Sequence, residues 1–180
     1  MIPIISHHEL TTDARYSRII QRDLTCDPDV EMNVRAILED VALRGDEAVL
    51  EFTRRFDHVT LDSLKPVPAE ELKDLHATVN DDFLAALRRA IENVRDFHRL
   101  QYSESIEKTG PDGVRLRLVF NPLERVGLYV PGGAGAYPSS IVMNAVPAQV
   151  AGVERIVVVT PPARFRENPH IAAALVAIAE

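Results

Sequence analysis

The sequence predicts an α/β protein: a helix-rich N-terminal region over residues 1–122, ending in a short β-hairpin, and then a parallel β-α-β unit over 123–180. Three observations predict it. Apolar residues recur at three- and four-residue spacing from Val34 to Val94, the signature of amphipathic helices. Residues 126–130 and 156–159 are continuous, β-branched-rich apolar runs, the pattern of parallel strands buried on both faces. A single helical stretch, from about Ser139 to Ala151, lies between those runs, and such a crossover is right-handed in nearly all proteins.

Each element follows from local signals. Asp27-Pro28 opens the first helix, with Asp as N-cap and Pro at the first helical position. Val34, Ile37, Leu38 and Val41 form its apolar stripe. Gly45 ends it, and Asp46 caps a second helix that carries Val49, Leu50 and Phe52 and runs out near Phe56. Residues 57–68 read as a loop and 72–79 as a short helix. Asn80 or Asp81 caps a longer helix with Leu84, Leu87, Ile91 and Val94 on one face, continuous through residues 93–97 and fading near Tyr102. Arg88, Arg89, Arg95 and Arg99 fall mostly off that stripe and read as a solvated face.

The texture changes at Ser103. Gly110-Pro111-Asp112-Gly113 is a turn. Beyond it Val114, Leu116, Leu118 and Phe120 alternate with Arg115, Arg117 and Val119, the period of a half-exposed strand, and 105–109 pairs with it as a hairpin. In the β-α-β unit, Pro147 should kink or restart the helix and Gly152 closes it. Pro161-Pro162 stops the second strand. A last helix begins near Pro169, and its small apolar residues 172–179 suit packing on a sheet. Two parallel strands and two helices do not bury a doubly wound sheet by themselves, so the unit reads as incomplete.

Composition bounds the function. Apolar residues make up 46% and charged residues 26% of the chain, which fits a globular protein. The net charge of −7 argues against a general nucleic-acid or anionic-membrane surface but leaves room for a local anion pocket. The single cysteine, Cys26, rules out an internal disulfide and agrees with a cytoplasmic setting. The N-terminal residues lack a basic segment and a long apolar core, so no signal peptide is read there, and no apolar run approaches the roughly 20 residues that span a bilayer.

The chemistry concentrates at residues 124–138, ERVGLYVPGGAGAYP. A strand that empties into a Gly-rich turn and then a helix is where open α/β sheets hold ligands. Glycines admit close backbone approach, and the helix start offers free N–H groups to an anion such as phosphate. The turn is not the dinucleotide fingerprint, because Pro138 stands at its third glycine position, and no Lys-Ser or Lys-Thr makes it a Walker loop. Tyr129 either packs in the core or faces a ligand at the strand's end. Asn144 and Gln149, on the following helix, read as structural amides. None of the six histidines shows metal-ligand spacing; His7-His8 reads as exposed and His98 as a packed, hydrogen-bonded residue. Asp81-Asp82 and Glu70-Glu71 sit at helix starts, where they complement the macrodipole. No general base is identified.

The run ERVGLYVPGGAGAYPSSIVMNAVPAQVAGVERIVVVTPP, residues 124–162, resembles histidinol dehydrogenase, most specifically in LYVPGG-x(4)-PSS. The resemblance extends more loosely to NVRDFHRLQ at 93–101 and GDEAVLEFTRRFD at 45–57. It implies an incomplete Rossmann-like unit of the aldehyde-dehydrogenase-like superfold, forming part of an NAD-binding domain. It implies a homodimeric enzyme of histidine biosynthesis that oxidises L-histidinol to L-histidine in two NAD-dependent steps with a catalytic zinc. The chain then corresponds to the N-terminal two-fifths of such a protein and is inert alone. Tyr129 would contact NAD, with Pro131, Gly132 and Gly133 lining the cofactor. The resemblance assigns no catalytic residue and no zinc ligand within residues 1–180; those lie further along the family's chain. Two other readings stand beside it. Pro122-Leu123-Glu124-Arg125-Val126-Gly127 loosely fits a γ-glutamyl phosphate reductase-like enzyme, and a non-catalytic nucleotide-binding or assembly module fits the missing ligands.

Overall fold

A computed structural model describes residues 6, 14, 16, 27–131, 137–162, 165 and 168–180. The chain divides into two compact units, 1–49 and 50–180.

In the first unit, helix α1 spans Pro28–Arg44. The Asp27 carboxylate accepts the Asp29 N–H at 3.0 Å, and Pro28 fills the first turn, as the sequence predicts. Gly45, at φ +60, ends the helix and donates its N–H to the Val41 carbonyl at 2.8 Å. The predicted stripe forms, yet no residue of α1 is buried. Periodicity states which side chains share a face, not whether a second surface covers them. Asp40 and Arg44 lie one turn apart: Nε donates to Oδ1 at 2.7 Å, and Nη2 donates to the other carboxylate oxygen. These hydrogen bonds, opposed by partial desolvation and helped by the guanidinium charge, hold the Asp40 carboxyl below its ordinary range.

Helix α2 spans Asp46–Phe56, with acids in its first turn and Arg54 and Arg55 in its last. Phe52 and Phe56 stack one turn apart, with ring centroids 5.7 Å apart. Beyond the helix, His58 sits at φ +57.

The second unit is built around three helices. Helix α3 spans Ala69–Ala77, α4 spans Asp81–Arg99, and α6, the last, spans Pro169–Ala179. Helix α3 begins three residues before the predicted 72, because Pro68 already holds φ at −58 and Glu70 and Glu71 favour the first turn. The Asn80 side chain caps α4 by accepting the Phe83 N–H at 2.8 Å. Leu84, Leu87 and Ile91 are buried and Val94 packs beside them, so the predicted face holds. Residues 93–97 continue that helix, as read.

Two small sheets follow. Strands β1 (Ile106–Thr109) and β2 (Arg115–Leu118) form the predicted antiparallel hairpin, with Ile106 opposite Leu118. The half-exposed strand does not: every residue of both strands is exposed. No helix or sheet packs on either face of this ribbon among the described residues. Strands β3 (Arg125–Tyr129) and β4 (Arg155–Val159) pair in parallel, Arg125 beside Arg155 and Tyr129 beside Val159. Helix α5 (Pro138–Val150) joins them. Both strands alternate exposed and half-buried, which corrects the expectation of burial on both faces. Leu128, Ile156 and Val158 pack toward the core, and α5 lies against the sheet, while the opposite face has no covering element among the described residues.

Helix α5 runs through Pro147 as one element rather than restarting. It closes as predicted: Gly152, at φ +84, donates to the Gln149 carbonyl and Val153 to that of Ala148, both at 3.0 Å. That pair of bonds is the Schellman motif, and a glycine at positive φ makes it cheap. Helix α6 corrects another expectation, for it packs among α3, α4 and α5 and not on the strands. Its face of Ala172, Ala173, Ala174 and Ala177 is buried and small enough for close helix-helix approach. The core thus lies between the helices, with the β3–β4 sheet at its margin.

Candidate functional site

The carboxyl end of the parallel sheet carries the sequence-predicted site. Strand pleating sends Leu128 inward, Tyr129 outward and Val130 inward again. Val130 is buried and extends the ladder by donating its N–H to the Val159 carbonyl at 2.9 Å. Tyr129 is 66% exposed, so its ring is not a core ring. Pro131 follows, exposed. Gly132 and Gly133 lie outside the described residues. The chain is described again at Tyr137, which occupies the N-cap position of α5.

That helix start is electrostatically open. No side chain caps α5, its first turn holds no acid, and Pro138 lies in that turn. Its remaining N–H groups and the positive end of its dipole suit an anion. Just past the neighbouring strand, the Thr160 hydroxyl is buried and has no hydrogen-bond partner among the described residues. Thr160 follows β4 directly, so this orphan polar atom belongs to the same end of the sheet. Sequence reasoning missed it. The available signal was a lone hydroxyl closing an apolar run immediately before Pro161-Pro162.

The other singled-out residues serve structure. Asn144 Nδ2 donates to the Ser140 carbonyl at 2.6 Å, and Gln149 Nε2 donates to the Ile178 carbonyl at 3.1 Å, tying α5 to α6. Arg88 reaches the Glu180 carboxylate at 3.0 Å in an exposed pair. The half-buried His98 meets Phe97 edge-on at 5.7 Å. His170 sits 3.1 Å from Asn168 Oδ1 and edge-on to Phe83. Cys26, His7 and His8 lie outside the described residues. Among the described residues, no three His, Cys, Asp or Glu side chains stand together as a metal ligand set. No helix among them is long and apolar enough to cross a membrane.

Fold and site together define an α/β protein with a parallel β-α-β unit and a solvent-facing aromatic at the carboxyl end of its sheet. The family model for histidinol dehydrogenase matches residues 20–179. The chain belongs to the histidinol dehydrogenase family. It is 45% identical over 161 residues to the histidinol dehydrogenase of Geobacter sulfurreducens, covering 88% of this chain and 38% of that relative. It is 42% identical over 175 residues to that of Syntrophotalea carbinolica, covering 97% of this chain and 41% of the relative. The crystal structure of histidinol dehydrogenase from Elizabethkingia anophelis superposes with a TM-score of 0.78 at 28% identity, covering 97% of this chain and 39% of that one. The chain therefore spans about two-fifths of the length of these relatives.

Proposed function

We propose that this chain forms part of the NAD platform of a histidinol dehydrogenase, the NAD- and zinc-dependent enzyme that oxidises L-histidinol to L-histidine in two steps. The single observation that carries the reading is Tyr129, exposed at the carboxyl end of a parallel strand in a member of this family. The sheet is then the start of a Rossmann-like unit over 123–180, of the aldehyde-dehydrogenase-like kind, and 1–122 is the helical region preceding it.

Bound NAD supplies the hydride acceptor. The chain's own residues bind and orient it. The ring of Tyr129 offers a flat face beside the cofactor. Pro131 fixes the backbone entering the turn, and Gly132 and Gly133 are assigned the close backbone approach. The uncapped start of α5 and the unpaired Thr160 hydroxyl offer donors to phosphate or ribose oxygens. Zinc finds no fitting donor set among the described residues, and the family resemblance puts its ligands beyond residue 180. On this reading the working enzyme is a cytoplasmic homodimer and the 180-residue chain alone is inactive.

Saturation-transfer NMR tests the platform directly. Protons of NAD should receive saturation from the chain, and the transfer should fall in Tyr129→Ala. A wild-type chain that transfers nothing to NAD removes the reading.

A further inference from the structure

Tyr129 is not the only exposed ring at the carboxyl end of the parallel sheet. In a β-α-β unit the first strand leaves the sheet and the crossover helix begins at that same end. Tyr137, from which α5 starts, therefore stands there too, with residues 130–136 between it and Tyr129. Its carbonyl accepts the Ser140 N–H at 3.0 Å, which fixes it as the N-cap. An N-cap is ordinarily Ser, Thr, Asp or Asn, whose short side chain folds back on the free N–H groups of the first turn. A tyrosine ring is too long and too rigid to do so, and its side chain makes no capping bond.

Two ordinary roles for this tyrosine fail. A core ring is buried, and Tyr137 is 40% exposed. A ring anchored by its polar tip has a partner for its hydroxyl, and Tyr137 has none among the described residues. An amphipathic ring thus fills the position where a stabilising cap would stand. The missing cap costs the helix stability. It also leaves the Ser139 N–H and the positive end of the dipole unused by the N-cap side chain, whereas an aspartate at this position would engage both.

We propose, on the cofactor reading, that Tyr137 is a second NAD-binding residue and holds the pyrophosphate. Its hydroxyl donates to a phosphate oxygen. Its ring covers that phosphate against water, which strengthens the attraction between the anion and the helix start. Tyr129 then faces a flat ring of the cofactor, and Tyr137 its charged bridge.

Phosphorus NMR of NAD reads the pyrophosphate directly. Titrating in the wild-type chain should shift or broaden the phosphate resonances. Tyr137→Phe, which removes only the hydroxyl, should weaken binding by roughly 5-fold. Tyr137→Asp supplies the missing cap, so it should unfold in urea at or above the wild-type midpoint. Yet it should lose NAD by roughly tenfold or more, because its carboxylate engages the N–H groups and repels the phosphate. A tyrosine that merely held the helix would show stability and NAD affinity falling together. Should Tyr137→Asp fail to fold, Tyr137→Phe decides. A wild type that leaves the phosphate resonances unchanged and receives no saturation transfer to NAD removes the cofactor reading and this assignment together. If the wild type binds, Tyr129→Ala binds less and both Tyr137 variants bind as wild type does, the cofactor reading stands and the assignment of Tyr137 is overturned.

Discussion

A strand tyrosine has two ordinary fates, and exposure separates them. Tyr129 stands outside the core, so replacing it removes little folding free energy: surface substitutions fall within roughly 0.5 kcal/mol. Its value, on the cofactor reading, is to NAD. In a full-length protein carrying this segment, Tyr129→Ala should weaken NAD by about 1–3 kcal/mol, by analogy with base–aromatic stacking, or roughly 5- to 150-fold. Zinc affinity should hold, since the ring has no part in a metal site. Titration calorimetry decides it, and an unchanged NAD affinity would remove Tyr129 from the site. Asp40 allows a second test at this scale. Its folded carboxyl titrates below the ordinary range because Arg44 hydrogen-bonds it, so the pair contributes at neutral pH, and that contribution is lost as pH falls through the lowered folded value. Carbonyl-detected NMR titration should show the Asp40 midpoint rising in Arg44→Gln. A midpoint indifferent to Arg44 would contradict the assignment.

Among the elements, the end of α5 depends on one backbone conformation. Gly152 holds φ +84 and supplies the first of two Schellman bonds. A Cβ there would make ordinary contact with Pro122 at 3.6 Å, so any cost of Gly152→Ala comes from the backbone. That cost should be about 1–2 kcal/mol, measurable by urea unfolding, whereas an unchanged midpoint would mean the motif is not held in solution. This element was legible because Gly, Pro and Asp at helix ends act locally: Asp27-Pro28, Gly45, Asn80 and Gly152 all mark the observed boundaries. Strand pairing was legible for the same reason, through the Gly110–Gly113 turn and the β-α-β spacing. Coverage was not. The runs at 126–130 and 156–159 read as buried on both faces, and the residues beside Tyr129 read as a site, but a period of two or a continuous run records what a segment is built to meet. What meets it lies elsewhere in sequence, as α6 shows by packing on helices where a sheet was expected. Thr160 escaped notice for a related reason: an orphan hydroxyl is visible only once its surroundings are placed.

For the molecule as a whole, the decisive quantity is how much of a reaction 180 residues can hold. Alcohol oxidation by hydride transfer requires the carbinol carbon and the acceptor in near-attack geometry, a base for the hydroxyl proton, and in this family's reading a metal to polarise the oxygen. Positioning alone can supply up to roughly 7–11 kcal/mol, but only if both reactants are held at once. The described residues offer two exposed rings, one open helix start and one orphan hydroxyl around the cofactor's expected place, and no metal ligand group. On the cofactor reading, a platform of that kind holds one reactant and leaves the other free. The purified chain given L-histidinol, NAD and zinc should therefore produce no NADH above a blank, as followed by absorbance, while still transferring saturation to NAD. Zinc-dependent turnover by the chain alone would show that a sufficient base and ligand set exists within it.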